Sequence, residues 1–287
     1  MSAPAGRDGG PSARILGVMR FLQATVVALS LLVAAPLFAQ QKPKPKEKPR
    51  AEQGDKNKVK AATKTADWPK DDALTAKDPV IVAIDKFRKA KVAGKGPDWR
   101  TTLPAPPAVV FDRKHEYRWH LETSVGTLVV TLLPEAAPKH VASVVYLSRC
   151  GFYDDLCFPR VLKGFMAQGG SPNNTQSGNA GYSLDGEFLT GQKHDKPGAL
   201  SAANSGEPNS DGSQFFLTFV PTPHLDGKHT VHGFVTEGLA VLQEIEKRGV
   251  EKDGEPLPEK VTIVHTWITV VAKPPAAPGE PVTQPAK

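Results

Sequence analysis

Apolar residues recur at different spacings along this chain, and the changes of spacing mark its elements. Val80, Ile81, Ile84 and Phe87 return at three- and four-residue intervals, the period of a helix with one apolar face. Asp78 is a good N-cap and Pro79 suits the first helical position, while Gly94, Gly96 and Pro97 stop the element. A helix over 78–91 is predicted, and its apolar face must be covered by the main domain. From Tyr117 the period drops to two: Tyr117, Trp119, Leu121 and Thr123 alternate with Arg118, His120 and Glu122, the signature of a half-buried strand. Gly126 turns the chain into a second apolar run, residues 128–133. Pro138 then opens a helix with Val141, Val144, Val145 and Leu147 along one side. Short β segments separated by Gly, Asn, Asp and Pro follow Phe152. Residues 239–247 read as another helix and 261–271 as a last strand. Several short strands with only two helices predict a mainly β domain, a barrel.

The ends of the chain break this patterning. Residues 1–39 read as a signal peptide: Arg14 and Arg20 precede an apolar run from Phe21 to Phe38 that ends in small residues. Its uninterrupted part, residues 26–35, is short of the roughly 20 residues a spanning helix needs; an uncleaved anchor is the alternative. Residues 40–75 are rich in Lys, Pro and polar residues and bury too little to offset ordering entropy, so a disordered linker is expected. Residues 76–114 form an N-terminal extension with one helix, 115–272 the main domain, and 273–287 a disordered Pro-rich tail. The implied location is outside the cytoplasm, in the periplasm or cell envelope.

Charge changes the picture only by where it lies. The net charge of +6 invites a nucleic-acid reading, but residues 40–64 hold nine Lys or Arg against three Asp or Glu. The folded part is therefore nearly neutral, and no nucleic-acid partner is expected. The basic linker fits at most a weak contact with acidic envelope surfaces.

Two segments carry the candidate chemistry. One spans residues 158–170 and contains Arg160, Phe165, Met166 and Gln168 ahead of Gly169 and Gly170. The other spans 198–233 and contains Ala203, Asn204, Gln214, Phe216, His224, Leu225 and His229. In order, type and spacing these segments resemble the cyclophilins, over residues 115–272, and the likeness is closest to bacterial-type, exported members. The resemblance implies a closed eight-stranded antiparallel barrel with two capping helices. It also implies a peptidyl-prolyl cis-trans isomerase that acts as a monomer on proline-containing polypeptides, without cofactor or metal.

The resemblance assigns catalytic roles to Arg160, Gln168 and His229. It assigns substrate binding to Phe165, Met166, Ala203, Asn204, Gln214, Phe216, His224 and Leu225. Such a grouping suits the reaction. An X–Pro bond rotates slowly because its C–N bond is partly double, with a barrier of ~18–20 kcal/mol. Catalysis needs a grip on the proline ring and a donor for the imide nitrogen, which becomes a better acceptor when twisted. Three positions depart from the family pattern: Pro159 replaces the usual His, His224 a frequent Trp, and His232 the usual Phe. These departures leave a second reading open, a proline-binding module or holdase with weak catalysis. His224, His229 and His232 lack a matching ligand set, so no metal site is expected. Cys150 and Cys157, the only cysteines, are either a disulfide of the exported protein or two buried thiols.

Overall fold

A computed structural model describes residues 70–273, apart from 93 and 208. The expected signal peptide, most of the linker and all but the first residue of the tail lie outside the described residues.

Order begins earlier than the linker assignment allows. A short helix, α1 (Ala73–Lys77), is capped by Asp72, which accepts from the Thr75 amide at 2.7 Å. Thr75 is fully buried, and its hydroxyl accepts the Val270 amide at 2.8 Å. Asp71 pairs with Arg149 at 2.8 Å. Helix α1 thus lies mostly within residues 40–75, assigned to the linker, and α2 (Pro79–Lys91), the helix expected in the extension, follows at once. Asp78 caps α2 through the Val80 and Ile81 amides, at 2.9 and 3.3 Å. Its other oxygen takes the Tyr117 hydroxyl at 2.9 Å and His115 Nδ1 at 2.8 Å. Burial and this carboxylate together push the Tyr117 phenol well above its ordinary range. The extension is thus tied to the sheet by a buried carboxylate as well as by Val80, Ile81 and Ile84.

The sheet is eight-stranded and antiparallel: β1 (His115–Thr123), β2 (Gly126–Leu132), β3 (Arg160–Leu162), β4 (Met166–Gly169), β5 (Ala199–Ala202), β6 (Phe215–Thr218), β7 (Val231–Glu237) and β8 (Ile263–Ala272). Their spatial order is β3-β4-β6-β5-β7-β2-β1-β8. The expected closed barrel is met only in part. Among the described residues β3 and β8 share no ladder; an isolated bridge between Cys157 and Thr262, just ahead of each strand, links the two edges. Three residues of β3 are too few to pair along the ten of β8.

In β1 the alternation is as the pattern predicts, with Tyr117, Trp119, Leu121 and Thr123 buried. Helix α3 (Pro138–Cys150) is buried nearly all round rather than along one stripe, because α2 covers its outer side. Phe87 meets Tyr146 edge-on at 5.9 Å, and Arg149 clasps Asp85. Gly151 ends α3 at φ +67°, a conformation costly for any residue with a Cβ. Helix α4 (Leu239–Lys247) buries Leu242 and Ile245.

Cys150 and Cys157 are both free and buried, so the candidate disulfide is absent. Cys150 sits one turn from Tyr146 inside the helix packing, whereas Cys157 is held on the sheet edge by its bridge to Thr262 and by its amide donating to Asn174 Oδ1 at 2.7 Å.

Candidate active site

The site begins as one row of residues across the sheet. β3 and β4 form a hairpin in which Arg160 stands opposite Gln168 and Val161 opposite Ala167. Its turn passes through Gly164 at φ +67°, which a side chain would strain. Alternation sends Val161 and Ala167 into the core and leaves Arg160 and Gln168 on the outer face. Across β4 and β6 Gln168 faces Phe216, and across β6 and β5 Phe216 faces Ser201. Met166 and Phe216 are only 2% and 4% exposed, yet neither belongs to the core cluster. They face outward and line a cavity on the sheet's other side.

That cavity has a volume of about 120 Å³. Phe165, Met166, Phe216 and Leu225 give it apolar walls, and Arg160, Gln168, Asn204 and His229 give it polar ones, with Ala203 between. The structure therefore brings together nine of the eleven site residues named from sequence. The other two stand beside it. The His224 ring lies tilted against Phe165 at 5.7 Å. Gln214 lines an adjoining depression of about 420 Å³, which shares Gln168, Ala203 and Asn204 with the first. A larger hollow of about 470 Å³, between the segment ahead of β1 and the loop after β2, contains none of these residues.

Hydrogen bonds fix the polar wall. Arg160 Nη1 donates to Gln168 Oε1 at 3.3 Å, Gln168 Nε2 donates to Gln214 Oε1 at 2.9 Å, and Gln214 Nε2 donates to the Gly178 carbonyl at 2.8 Å. On its far side Arg160 donates from Nε and Nη2 to the two oxygens of Asp253, at 2.9 and 2.6 Å. His229 Nδ1 lies 3.0 Å from the Ala202 carbonyl. Since that oxygen can only accept, Nδ1 donates in this contact. Asn204 donates to the Lys228 carbonyl at 3.0 Å, tying the β5 end to the loop that carries Leu225 and His229.

His194, Asp226 and Asp253 also buttress the site, though the two motif segments give none of them a role. His194 is fully buried and stacks on Phe216, with ring centroids 6.0 Å apart and planes 11° apart. Its Nδ1 meets Asp226 at 2.9 Å and its Nε2 meets Ser201 Oγ at 3.0 Å. Burial lowers its pKa, against the opposing pull of Asp226. It backs the Phe216 wall and ties it to the 223–229 loop. The only signal was a lone histidine in a polar loop, Lys193-His194-Asp195.

The three departures from the family pattern lie apart from the cavity floor. Pro159 precedes the first residue of β3, where no ladder amide is needed. His224 is the rim residue already described. His232 is fully buried, its Nδ1 3.0 Å from the Thr230 carbonyl and its ring 5.5 Å from that of His140. Burial, then the neighbouring His140 charge, brings its pKa down to about 3. His140 stands between Glu187 Oε2 at 2.7 Å and Asp211 Oδ2 at 2.8 Å. Burial opposes the charged ring, but these two carboxylates outweigh it and hold the pKa above the usual value. Among the described residues no group of three His, Cys, Asp or Glu is arranged to hold a metal ion.

Comparison with known proteins agrees with this geometry. Residues 118–268 match the family model described as cyclophilin type peptidyl-prolyl cis-trans isomerase/CLD. The chain is 41% identical over 142 residues to peptidyl-prolyl cis-trans isomerase-like 1 of Neurospora crassa, an alignment covering 48% of this chain and 86% of that protein. It is 46% identical over 142 residues to peptidyl-prolyl cis-trans isomerase-like 2 of Cryptococcus neoformans, covering 47% of this chain but only 24% of the relative. A cyclophilin type isomerase of Cryptosporidium parvum, solved by crystallography, superposes with a TM-score of 0.51 at 30% identity, covering 53% of this chain and 97% of that one. The same protein has been solved in the presence of the dipeptide Ala-Pro. This chain belongs to the cyclophilin-type peptidyl-prolyl cis-trans isomerases. These relatives are eukaryotic, and they give no support to the bacterial-type, exported qualification.

Proposed function

We propose that this protein accelerates rotation about X–Pro bonds in polypeptides laid across the Arg160–His229 cavity. The observation that carries the reading is the meeting of a fixed guanidinium and an apolar cup on one 120 Å³ cavity. A proline ring fits the cup of Phe165, Met166, Phe216 and Leu225. Gln168, Asn204 and the edge at Ala203 flank the position of the neighbouring peptide groups. As the bond twists, the imide nitrogen loses conjugation and accepts a hydrogen bond from Arg160. That bond is stronger in the twisted state than in either planar state, which is the condition for rate enhancement. No covalent intermediate is needed. The relative solved in the presence of Ala-Pro supports a proline-containing ligand.

The alternative of a binding module with weak catalysis rests on Pro159 and His232, and neither lines the cavity. We extend the reading to exported clients on the sequence of residues 14–39 alone, and to a monomer acting on unfolded or folding chains. The test is an NMR titration of the full chain with a proline peptide and with its Pro→Ala counterpart. The reading expects shifts at Phe165, Met166 and Phe216, and exchange between the cis and trans peptide signals, with the proline peptide only. Equal shifts with both peptides, or no exchange, would reject it.

A further inference from the structure

Arg160 is held far more strongly from behind than from within the cavity. Its contact to Gln168 is a single bond to a neutral amide at 3.3 Å. Its contact to Asp253 is charge-assisted and bidentate, at 2.9 and 2.6 Å, the stronger and more directional class. A guanidinium has five N–H donors. Asp253 takes one from Nε and one from Nη2, and Gln168 takes one from Nη1. One N–H on each terminal nitrogen remains.

Asp253 reaches this position through built structure. After α4 the chain runs back along β3: Val250 makes a parallel bridge to Leu162, its amide donates to the Val161 carbonyl at 3.0 Å, and the Lys163 amide donates to the Val250 carbonyl at 3.0 Å. Lys163 and Glu251 then pair at 3.1 Å. The Gly254 amide donates to Asp253 Oδ1 at 3.1 Å and orients the carboxylate. Asp253 remains half exposed, at 51% of its side chain, and lines no part of the cavity.

We propose that Asp253 is a positioning residue for catalysis: its carboxylate locks the Arg160 guanidinium so that the free edge of the terminal nitrogens faces the substrate bond. The hydrogen bond from Arg160 is the first cause of a lowered Asp253 pKa, so the paired carboxylate stays ionised further into the acid range than a free one. This rests on Arg160 being the catalytic donor. A lock that acts only on orientation leaves ground-state binding alone, because the apolar cup holds the proline ring. Its loss appears in kcat and not in KM.

The experiment measures kcat and KM of the full chain for a proline tetrapeptide in wild type, Asp253→Ala, Asp253→Asn, Asp253→Glu and Arg160→Ala, with thermal midpoints recorded alongside. Asp253→Ala is expected to lower kcat roughly tenfold through misorientation with KM within about twofold. Asp253→Asn, which keeps one acceptor, falls between, and Asp253→Glu recovers most of the loss. A kcat in Asp253→Ala at or above the wild-type value, with Arg160→Ala inactive, overturns the lock and leaves the catalytic reading standing. Wild-type activity in Arg160→Ala overturns both.

Discussion

Arg160 and Gln168 face each other across the β3–β4 ladder, and the amide oxygen of Gln168 takes a hydrogen bond from the guanidinium at 3.3 Å. The pairing register alone creates this contact. Shifting the hairpin by one residue would turn Arg160 into the core and Val161 out to the cavity. The outward row of Arg160, Gln168 and Phe216 is thus a by-product of the alternation that builds the hydrophobic core.

Losing Gln168 should weaken the site without abolishing it. Gln168→Ala removes the bond to Arg160 and releases Gln214, but leaves the Asp253 clamp in place. We expect kcat/KM to fall about three- to thirtyfold, as for loss of one or two hydrogen bonds in a preorganised site. Steady-state assays of Gln168→Ala and Gln168→Glu, compared with wild type, check this.

The extension should be a stability element and not a catalytic one. Asp78 is 1% exposed and accepts from two amides, a hydroxyl and a histidine. Asp78→Ala removes an N-cap and strands buried donors, which costs about 2–4 kcal/mol. The urea midpoint should drop accordingly, while kcat/KM measured well below that midpoint stays near the wild-type value.

Much of this arrangement was legible in the sequence, for identifiable reasons. β1 declared itself because one face packs on the core, so Tyr117, Trp119 and Leu121 had to alternate. α2 declared itself through Asp78, Pro79 and its apolar period. The cavity residues were legible because they sit in two short segments whose motif fixes their types and spacing. What stayed hidden depends on partners distant in the chain. α1 has five residues, too few to show a period, and its anchor joins Thr75 to Val270. Asp253 lies 93 residues from Arg160 and His194 lies 32 from Asp226. α3 read as one-sided because nothing local announces that α2 will cover its other flank. The link between the sheet's two edges was illegible for the same reason, since it joins residues 155–158 to 261–263 through the Cys157–Thr262 bridge and backbone bonds such as the Phe158 amide to the Val261 carbonyl at 3.0 Å.

The cysteines give a direct chemical check. Two thiols per chain should react after denaturation without reductant, since both are free. In the folded chain both should react slowly. Burial pushes Cys150 up to about 11 and also raises Cys157, and the thiolate is the reactive form. Ellman titration before and after denaturation gives both numbers.

Stability should depend on pH through two buried histidines of opposite sign. The unfolded chain protonates His232 near pH 6.5, but the folded chain resists until about 3. Stability should therefore fall as pH drops between those values, because the unfolded state binds the extra proton. His140 has a raised folded pKa. Its contribution is complete below about pH 6.5 and is lost as pH climbs through the folded value. Urea midpoints across this range for wild type and His232→Phe separate the two. The variant should lose less stability on the acid side and keep the decline on the alkaline side.

Whether Arg160 drives X–Pro rotation in this cavity is decided by the protease-coupled rate on a proline tetrapeptide. The wild-type full chain should accelerate isomerisation above the uncatalysed rate. Arg160→Ala, with an unchanged thermal midpoint, should retain about 10⁻² to 10⁻³ of the wild-type kcat/KM, the usual loss when one preorganised donor is removed. A folded Arg160→Ala variant that turns over at the wild-type rate would rule Arg160 out as the donor to the imide nitrogen.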